Sequence, residues 1–335
     1  MFVNVRPRQK YPGKGARAIL CLTAALVVLC CADASPTQGS TSGIDSSGEE
    51  DPLATGRVLA RQGMTTEAER FVRQYLESHP NSADAHFLLG YILFKEVKAK
   101  ESLAEYTEGA KYRTPAAVDL KVVALNYVLL GDYVDADKWL TRSLELTPSD
   151  SEGWYYLGRA KYNENRFEEA VNAFDQCLKL DRKNVKAEDN RGLSLQGLSR
   201  NHEAIAAYRT AISWQAELQA KNPGPFINLG SLLMELNRPE EAIASLNEAL
   251  AIPPETYRSQ GMAELEPRAH EQLGRAYMNL NQLPQAQAEL EKAVALVPQD
   301  AHLHYLLGQA YRKGGRIEKA KAQFDRYTEL VRAQD

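Results

Sequence analysis

A period of 34 residues is the feature that most restricts how this chain can fold. Written in rows of 34, the sequence starts five rows without a gap, at residues 49, 83, 117, 151 and 185, and three more rows at 223, 267 and 301. Glycine occupies the eighth place in seven rows, and alanine occupies the twentieth place in seven rows. Repetition at a fixed spacing of this length indicates stacked copies of one small unit. We therefore predict a repeat array rather than two conventional domains.

Each row is predicted to fold into two antiparallel helices. Apolar places recur at three- and four-residue spacing, which is typical of amphipathic helices, and prolines such as Pro148 and Pro298 end several rows. Two helices approach to about 8–10 Å only when small residues lie where they cross. Large apolar residues in the twenty-fourth place complement the small ones of the eighth place, which are Gly56, Gly90, Ala124, Gly158, Gly192, Gly230, Gly274 and Gly308.

This pattern resembles the tetratricopeptide repeat, whose motif combines Trp-x2-Leu-Gly-x2-Tyr with a later Ala, an aromatic residue and Pro. The row that starts at residue 151 matches best, with Trp154, Leu157 and Gly158 followed by Ala170 and Phe174. The resemblance extends from residue 49 to the last residue of the sequence. It implies an all-α fold, a right-handed superhelical solenoid of antiparallel helix pairs.

The expected domain organisation follows from the rows. We assign residues 51–335 to a solenoid of about eight repeats, and the shifted rows indicate insertions near residues 219–222 and 257–266. Because a helix pair cannot cover its own apolar face, the rows must stack on one another. The resemblance further implies that the first helix of each row lines the inner wall of the superhelix, where ligands of the family usually lie.

Places that the resemblance assigns to the inner wall change in character along the array. They are aromatic with two cations in the second to fourth rows and rich in side-chain amides in the later rows. Amides can pair with the backbone of an extended peptide, and aromatic pockets can hold anchor side chains. For some aromatic residues, including Phe87 and Phe94, the alternative is packing between adjacent first helices. The residues expected to bind a partner are Phe87, Tyr91, Lys121, Tyr155, Tyr156, Arg159, Tyr162, Asn190, Asn228, Arg275, Asn279 and Arg312.

The N-terminal segment has the features of an export signal. Residues 1–17 contain five basic side chains and no acidic one, and an apolar run follows over residues 18–31. Small residues at Ala32 and Ala34 then suit a cleavage site after Ala34. As a helix, the apolar run would rise about 21 Å, which is less than the roughly 30 Å of a bilayer core. We predict a signal peptide over residues 1–34 and an exported protein that is periplasmic, envelope-associated or secreted.

Two alternatives to a cleaved signal remain open at the sequence level. The segment is an uncleaved membrane anchor in one, and Cys30 or Cys31 carries a lipid, as in a lipoprotein, in the other. These are the routes by which we expect membrane contact. Residues 35–50 contain one large aliphatic side chain, Ile44, and are predicted to be a flexible Ser/Gly linker.

Composition and motifs argue against nucleic-acid binding and catalysis. The net charge is −4 and no basic stripe follows the N-terminal segment, whereas phosphate binding requires concentrated positive charge. Zinc-protease, nucleophile-elbow and nucleotide-binding motifs are missing, and His302 and His304, two residues apart on a predicted helix, point away from each other. We expect no catalytic residue, no metal and no cofactor.

The function predicted from the sequence is a non-catalytic scaffold or adaptor for protein–protein interaction. It would bind a protein or peptide partner in the concave groove of the solenoid. The alternatives are a binding module for an envelope glycan or other polymer, for which the tyrosines would serve, and an accessory subunit of an enzyme.

Overall fold

The helices of the chain follow the sequence period. The computed structural model describes residues 51–333, which contain seventeen α-helices and no strand. Sixteen helices form eight pairs, the partners of each pair pack against each other, and successive pairs pack in chain order. The structure confirms the predicted all-α solenoid of helix pairs. The pairs are α1 (Ala54–Arg61) with α2 (Thr65–Ser78), α3 (Ala83–Lys95) with α4 (Ala99–Gly109), α5 (Ala117–Leu129) with α6 (Tyr133–Leu146), α7 (Ser151–Asn163) with α8 (Phe167–Leu180), α9 (Val185–Gly197) with α10 (Asn201–Glu217), α11 (Gly224–Glu235) with α12 (Pro239–Leu250), α14 (Leu265–Asn279) with α15 (Leu283–Leu296), and α16 (Ala301–Lys313) with α17 (Ile317–Arg332).

The signal peptide and the linker proposed for residues 1–34 and 35–50 lie outside the described residues. Within residues 51–333, no helix is both long enough and apolar enough to span a bilayer.

The eighth and twenty-fourth places of a row touch, as the pattern of small and large residues predicts. A Cβ atom added to Gly158 would lie 2.6 Å from the ring of Phe174, and one added to Gly192 would lie 2.6 Å from the ring of Tyr208. Such distances are too short for a real contact, so the glycines permit the close approach of the two helices.

A residue in the left-handed region joins the two helices of every pair. It is always the fifteenth of its row, with φ between 55° and 77°. The amide of the following residue donates to a carbonyl five residues earlier, as Arg166 does to Lys161, which is the bond that closes a helix in a Schellman turn. Glycine or asparagine occupies this place in six rows, whereas the second row has Val97.

The fourth place of a row connects its first helix to the end of the preceding row. Trp154 donates its indole N–H to the carbonyl of Pro148 at 2.8 Å. In two other rows histidine takes this role, because Nε2 of His86 and of His304 lies 2.9 and 3.0 Å from the carbonyl of a proline six residues earlier. A carbonyl only accepts hydrogen bonds, so Nε2 carries the hydrogen in both histidines.

The two insertions meet in space. The first follows α10, and a short helix, α13 (Pro254–Ser259), leads into the second. Gln260 Nε2 donates to the carbonyl of Lys221 at 3.0 Å, which joins the two insertions across the whole sixth pair. Tyr257 is buried and donates its hydroxyl to the carbonyl of Ala249 at 2.5 Å, which holds the short helix against α12.

Candidate functional site

A pocket lies where the insertions meet the first helices of the fourth to seventh pairs, and we call it the junction pocket. Its volume is about 130 Å³. An engineered cavity of about 150 Å³ accepts benzene, so this space suits one amino-acid side chain. The lining residues are Tyr155, Arg159, Tyr162 and Asn163 of α7, Lys186, Asp189, Asn190 and Leu193 of α9, Asn222, Gly224 and Asn228 in or just before α11, and Met262, Leu265 and Arg268 in or just before α14.

One wall of the junction pocket is aromatic. The ring of Tyr155 lies 6.1 Å from that of Phe174, and the guanidinium of Arg159 lies 5.8 Å from the centre of the Tyr155 ring. Tyr162 packs against Phe167 with 5.5 Å between ring centres. Burial raises the pKa of the Tyr162 hydroxyl, which therefore stays protonated at neutral pH and can donate a hydrogen bond.

Side-chain amides also line the pocket. Asn163 and Asn190 each donate Nδ2 to the carbonyl four residues earlier at 2.8 Å, which fixes the side chains on their helices. An amide has a second donor hydrogen and an acceptor oxygen, so both side chains retain capacity for a peptide backbone.

A buried carboxylate belongs to the same pocket. Asp189 is 7% exposed, and Nδ2 of Asn228 donates to its two oxygens at 3.0 and 3.2 Å. Burial disfavours the ionised form and raises the pKa of Asp189 to about 7, against the opposing effects of the Asn228 hydrogen bonds and the Arg268 charge. The carboxyl group therefore changes charge near neutral pH.

The structure brings five of the twelve expected partner-binding residues together in the junction pocket. They are Tyr155, Arg159, Tyr162, Asn190 and Asn228. The pocket thus lies where the aromatic part of the array meets the amide-rich part.

Four of the other expected residues, on α3, α5 and α7, do not line the junction pocket. Tyr156 is a correction to the expectation, because it is 1% exposed and its ring packs in the core beside Tyr155. Lys121 is buried and forms ion pairs with Asp150 at 2.9 Å and Glu152 at 2.8 Å, so its charge is already neutralised.

Phe87 and Tyr91 line a separate hollow of about 190 Å³ near the start of the array. Phe87 is buried, and the guanidinium of Arg113 lies 4.7 Å from the centre of its ring. The hollow therefore has its own cation, and Phe87 and Tyr91 line this hollow rather than the junction pocket.

The last three expected residues lie outside the lining of the junction pocket, Arg275 and Asn279 on the later part of α14 and Arg312 on α16. Arg275, Asn279 and Arg312 have exposed side chains, and none of them lines the pocket. Arg275 lies 3.6 Å from Glu271, and the guanidinium of Arg312 lies 5.6 Å from the ring centre of Phe324.

Several lining residues were not among those expected from the sequence. Lys186 and Arg268 are each the second residue of a row, a place that the resemblance assigns to the inner wall. Both could therefore have been predicted from the row register. Met262 and Leu265 belong to the second insertion, where the row register gives no information.

Among residues 51–333, no cluster of three His, Cys, Asp or Glu side chains is arranged to bind a metal ion. His302 is largely exposed and His304 is buried, so the two side chains point to opposite sides of α16.

Stacked helix pairs with a pocket on their first helices define an α-solenoid of the kind that presents binding surfaces. Models of the tetratricopeptide repeat match residues 53–117, 151–184, 225–256 and 271–334, which is more than half of the chain. The chain belongs to the tetratricopeptide-repeat family.

Curated relatives share a low level of identity. The chain is 24% identical over 210 residues to "Essential for maintenance of the cell wall protein 1" of Saccharomyces cerevisiae, covering 59% of this chain and 22% of that protein. It is 23% identical over 190 residues to "Tetratricopeptide repeat-containing protein trd-1" of Caenorhabditis elegans, covering 56% of this chain and 23% of that protein. The chain thus spans less than a quarter of the length of these relatives.

Solved structures show the same architecture. A tetratricopeptide repeat protein from Parabacteroides merdae aligns with a TM-score of 0.58 at 16% identity, over 77% of this chain and 96% of that one. The Cut9–Hcn1 hetero-tetramer of APC/C aligns with a TM-score of 0.56 at 16% identity, over 83% and 52%. PilW, a type IV pilus biogenesis factor, aligns with a TM-score of 0.54 at 20% identity, over 62% and 90%. At these identities the likeness is one of fold alone.

Proposed function

We propose that the protein is a non-catalytic scaffold that binds an extended peptide segment of a partner protein along its first helices, with the junction pocket holding an anchor side chain. The observation that carries this proposal is the joint placement of Tyr155, Tyr162, Asn190 and Asn228 around one side-chain-sized space. Aromatic anchors and amides are the groups that hold side chains and backbone in peptide complexes.

The geometry of the pocket supports an extended peptide. The pocket is built on α7, α9, α11 and α14, which are consecutive first helices of the array. First helices continue beyond it in both directions, so a peptide held at the pocket can pass along the wall on either side.

A selection from a library of short random peptides, displayed with blocked termini, tests this proposal with the full chain. We expect selected peptides to bind, and we expect Tyr162→Ala to weaken binding at least about fivefold, because loss of an aromatic residue that lines the binding pocket costs more than about 1 kcal/mol. Isothermal titration with one selected peptide measures the change. Tyr155→Phe keeps the packing against Phe174 and removes only the hydroxyl, so it separates hydrogen bonding from folding.

The matched control is Tyr305→Ala. Tyr305 is 39% exposed on α16 and does not line the pocket, so its loss should leave the affinity unchanged. Equal binding by wild type and Tyr162→Ala would contradict the placement of the peptide. If no peptide binds and a soluble polysaccharide fragment does, the glycan alternative replaces the proposal.

We also propose that the protein is exported, on the basis of the basic segment, the apolar run and the small residues that end at Ala34. Mass spectrometry of the protein purified from its own cells tests this. A mature N-terminus at Ser35 is the expected result. An intact Met1 would support the uncleaved anchor instead, and an acyl group on Cys30 or Cys31 would support the lipoprotein.

A further inference from the structure

Within residues 51–333, one buried cation has no carboxylate close enough to form an ion pair. Among the described residues, Lys121, Arg159 and Lys161 are each 8–9% exposed. Lys121 and Lys161 each have two carboxylates within 3.3 Å, which belong to Asp150 and Glu152 and to Asp137 and Glu169 respectively. Arg159 has no carboxylate within 4 Å in residues 51–333. Its guanidinium lies over the ring of Tyr155. A buried charge is costly unless it is paired. Arg159 therefore differs from Lys121 and Lys161, because no carboxylate of the described residues neutralises its charge.

The groups around Arg159 extend this excess of positive charge. Arg268 also lines the pocket, has no carboxylate within 4 Å among the described residues, and contacts Ser231 Oγ at 3.5 Å. Among the described residues, Asp189 is the single carboxylate that lines the same space, so the two guanidinium groups share one anion.

We propose that the junction pocket binds the carboxylate of an Asp or Glu side chain within the partner peptide, with Arg159 and Arg268 as the groups that contact it. The proposal rests on the proposed peptide-binding function and names the chemistry of the anchor side chain. Guanidinium groups suit this role because their planar donors match a carboxylate and because they stack on aromatic rings such as Tyr155. The amides of Asn163 and Asn190 then face the peptide backbone on either side of the acid.

Asp189 makes this recognition sensitive to pH. Asn228 and Arg268 face it from α11 and α14, Glu188 is next to it on α9, and its charge also acts on Tyr162 of α7 and Tyr208 of α10. Ionised Asp189 would repel the carboxylate of the peptide, and neutral Asp189 would not. With a pKa of about 7 for Asp189, the neutral fraction falls about tenfold between pH 6 and pH 8, and affinity for an acidic peptide falls with it. A glutamate side chain, with a pKa of about 4.3, stays ionised over this range.

The insertions contribute to this site, since they supply Asn222, Met262 and Leu265 to its lining and are joined by the clasp between Gln260 and Lys221. Arg159 and Arg268 themselves hold regular places of their rows, the ninth and the second. The repeat therefore supplies the two guanidinium groups, and the insertions supply part of the lining around them.

Three peptide libraries test the proposal with the full chain. They have blocked termini and a fixed central Glu, Gln or Lys among random neighbours. We expect the Glu library to bind at least about tenfold more tightly than the Gln library, since a charge-assisted hydrogen bond contributes about 1.5–3 kcal/mol. In Arg268→Gln this preference should fall to near parity while binding of the Gln library is unchanged. Arg209→Gln, an exposed arginine on the second helix α10 and outside the pocket, is the matched control and should keep the preference.

The pH profile supplies an independent readout. Wild type should bind the Glu library about tenfold more weakly at pH 8 than at pH 6, and Asp189→Asn should bind it equally at both. Equal binding of the Glu and Gln libraries by wild type would overturn the inference, as would a preference for Lys, which would make Asp189 the partner of a cation. If none of the libraries binds, the proposed peptide-binding function fails first.

Discussion

The turn at Val97 allows a quantitative test of how the array is built. Val97 occupies the left-handed place with φ of 61°, where a β-branched side chain is strained, and the same place is Asn in three other rows. Relief of the strain is worth about 1–2 kcal/mol, since the left-handed conformation costs this much for an ordinary residue. Val97 is 52% exposed, so removal of its methyl groups gives back about 0.5 kcal/mol of burial. We expect Val97→Asn to stabilise the protein by about 1 kcal/mol.

Glycine provides the discriminating comparison. Val97→Gly relieves the same strain but adds about 0.5–1 kcal/mol of backbone entropy to the unfolded chain, so it should change the stability little. The expected order is therefore Asn above Gly, and Gly close to wild type. Gly131 lies at the same place in the next row with φ of 73° and open space where a Cβ would be, so Gly131→Val introduces the strain without a clash and should destabilise.

Urea denaturation followed by circular dichroism measures these differences, and hydrogen exchange in α3 and α4 localises them. Val134 is 67% exposed and lies in the first turn of α6 with a helical backbone. Val134→Asn therefore relieves no backbone strain and should give no stabilisation. If Val97→Asn is no more stable than wild type, or if Val97→Gly exceeds it, the strain at this turn is not what limits the second pair.

Three other substitutions and treatments test the packing of the array. Gly158→Ala should destabilise the protein by about 1–2 kcal/mol, because overpacking against the ring of Phe174 outweighs the gain in helix propensity. The double variant Gly158→Ala with Phe174→Leu, which copies the Ala124 and Leu140 pair of the third row, should recover part of this loss in a urea titration. Ser102→Ala should cost about 1–2 kcal/mol, since it removes one of the two acceptors of the buried Asn126 amide, at 2.8 Å. The double variant Ser102→Ala with Asn126→Leu should return close to wild type in thermal unfolding, because Asn126 Oδ1 has no hydrogen-bond partner among residues 51–333. Cys177 is fully buried and its pKa is raised to about 12 by burial, so iodoacetamide at pH 8 should label it only in denaturant, and labelling of the folded protein at this residue would show that the fourth pair opens.

Contacts within a row could be predicted because the period itself encodes them. The places that pair Gly158 with Phe174 recur in every row, so a single rule gives the helix pairs, their crossing points and the order in which they stack. The same rule predicted that Tyr155, Arg159 and Tyr162 share a wall.

The closure of the pocket could not be predicted in this way. Gln260 and Lys221 belong to two insertions that have no place in the row register, and their contact across the sixth pair depends on how the chain turns there. Tyr156 shows the opposite difficulty. Tyr156 is the sixth residue of its row, a place that the resemblance assigns to the inner wall. In the next two rows this place holds the pocket residues Asn190 and Asn228, whereas the large ring of Tyr156 packs into the core.

The clasp between Gln260 and Lys221 has a mechanical consequence. In an array whose pairs contact only their neighbours, a force that pulls on the two ends passes through every pair in turn, and the array lengthens elastically. The clasp connects residues on both sides of the sixth pair, so part of the force passes outside α11 and α12. That part of the array should be stiffer than the rest, and the mouth of the junction pocket should keep its width when a partner draws the ends of the solenoid together or apart.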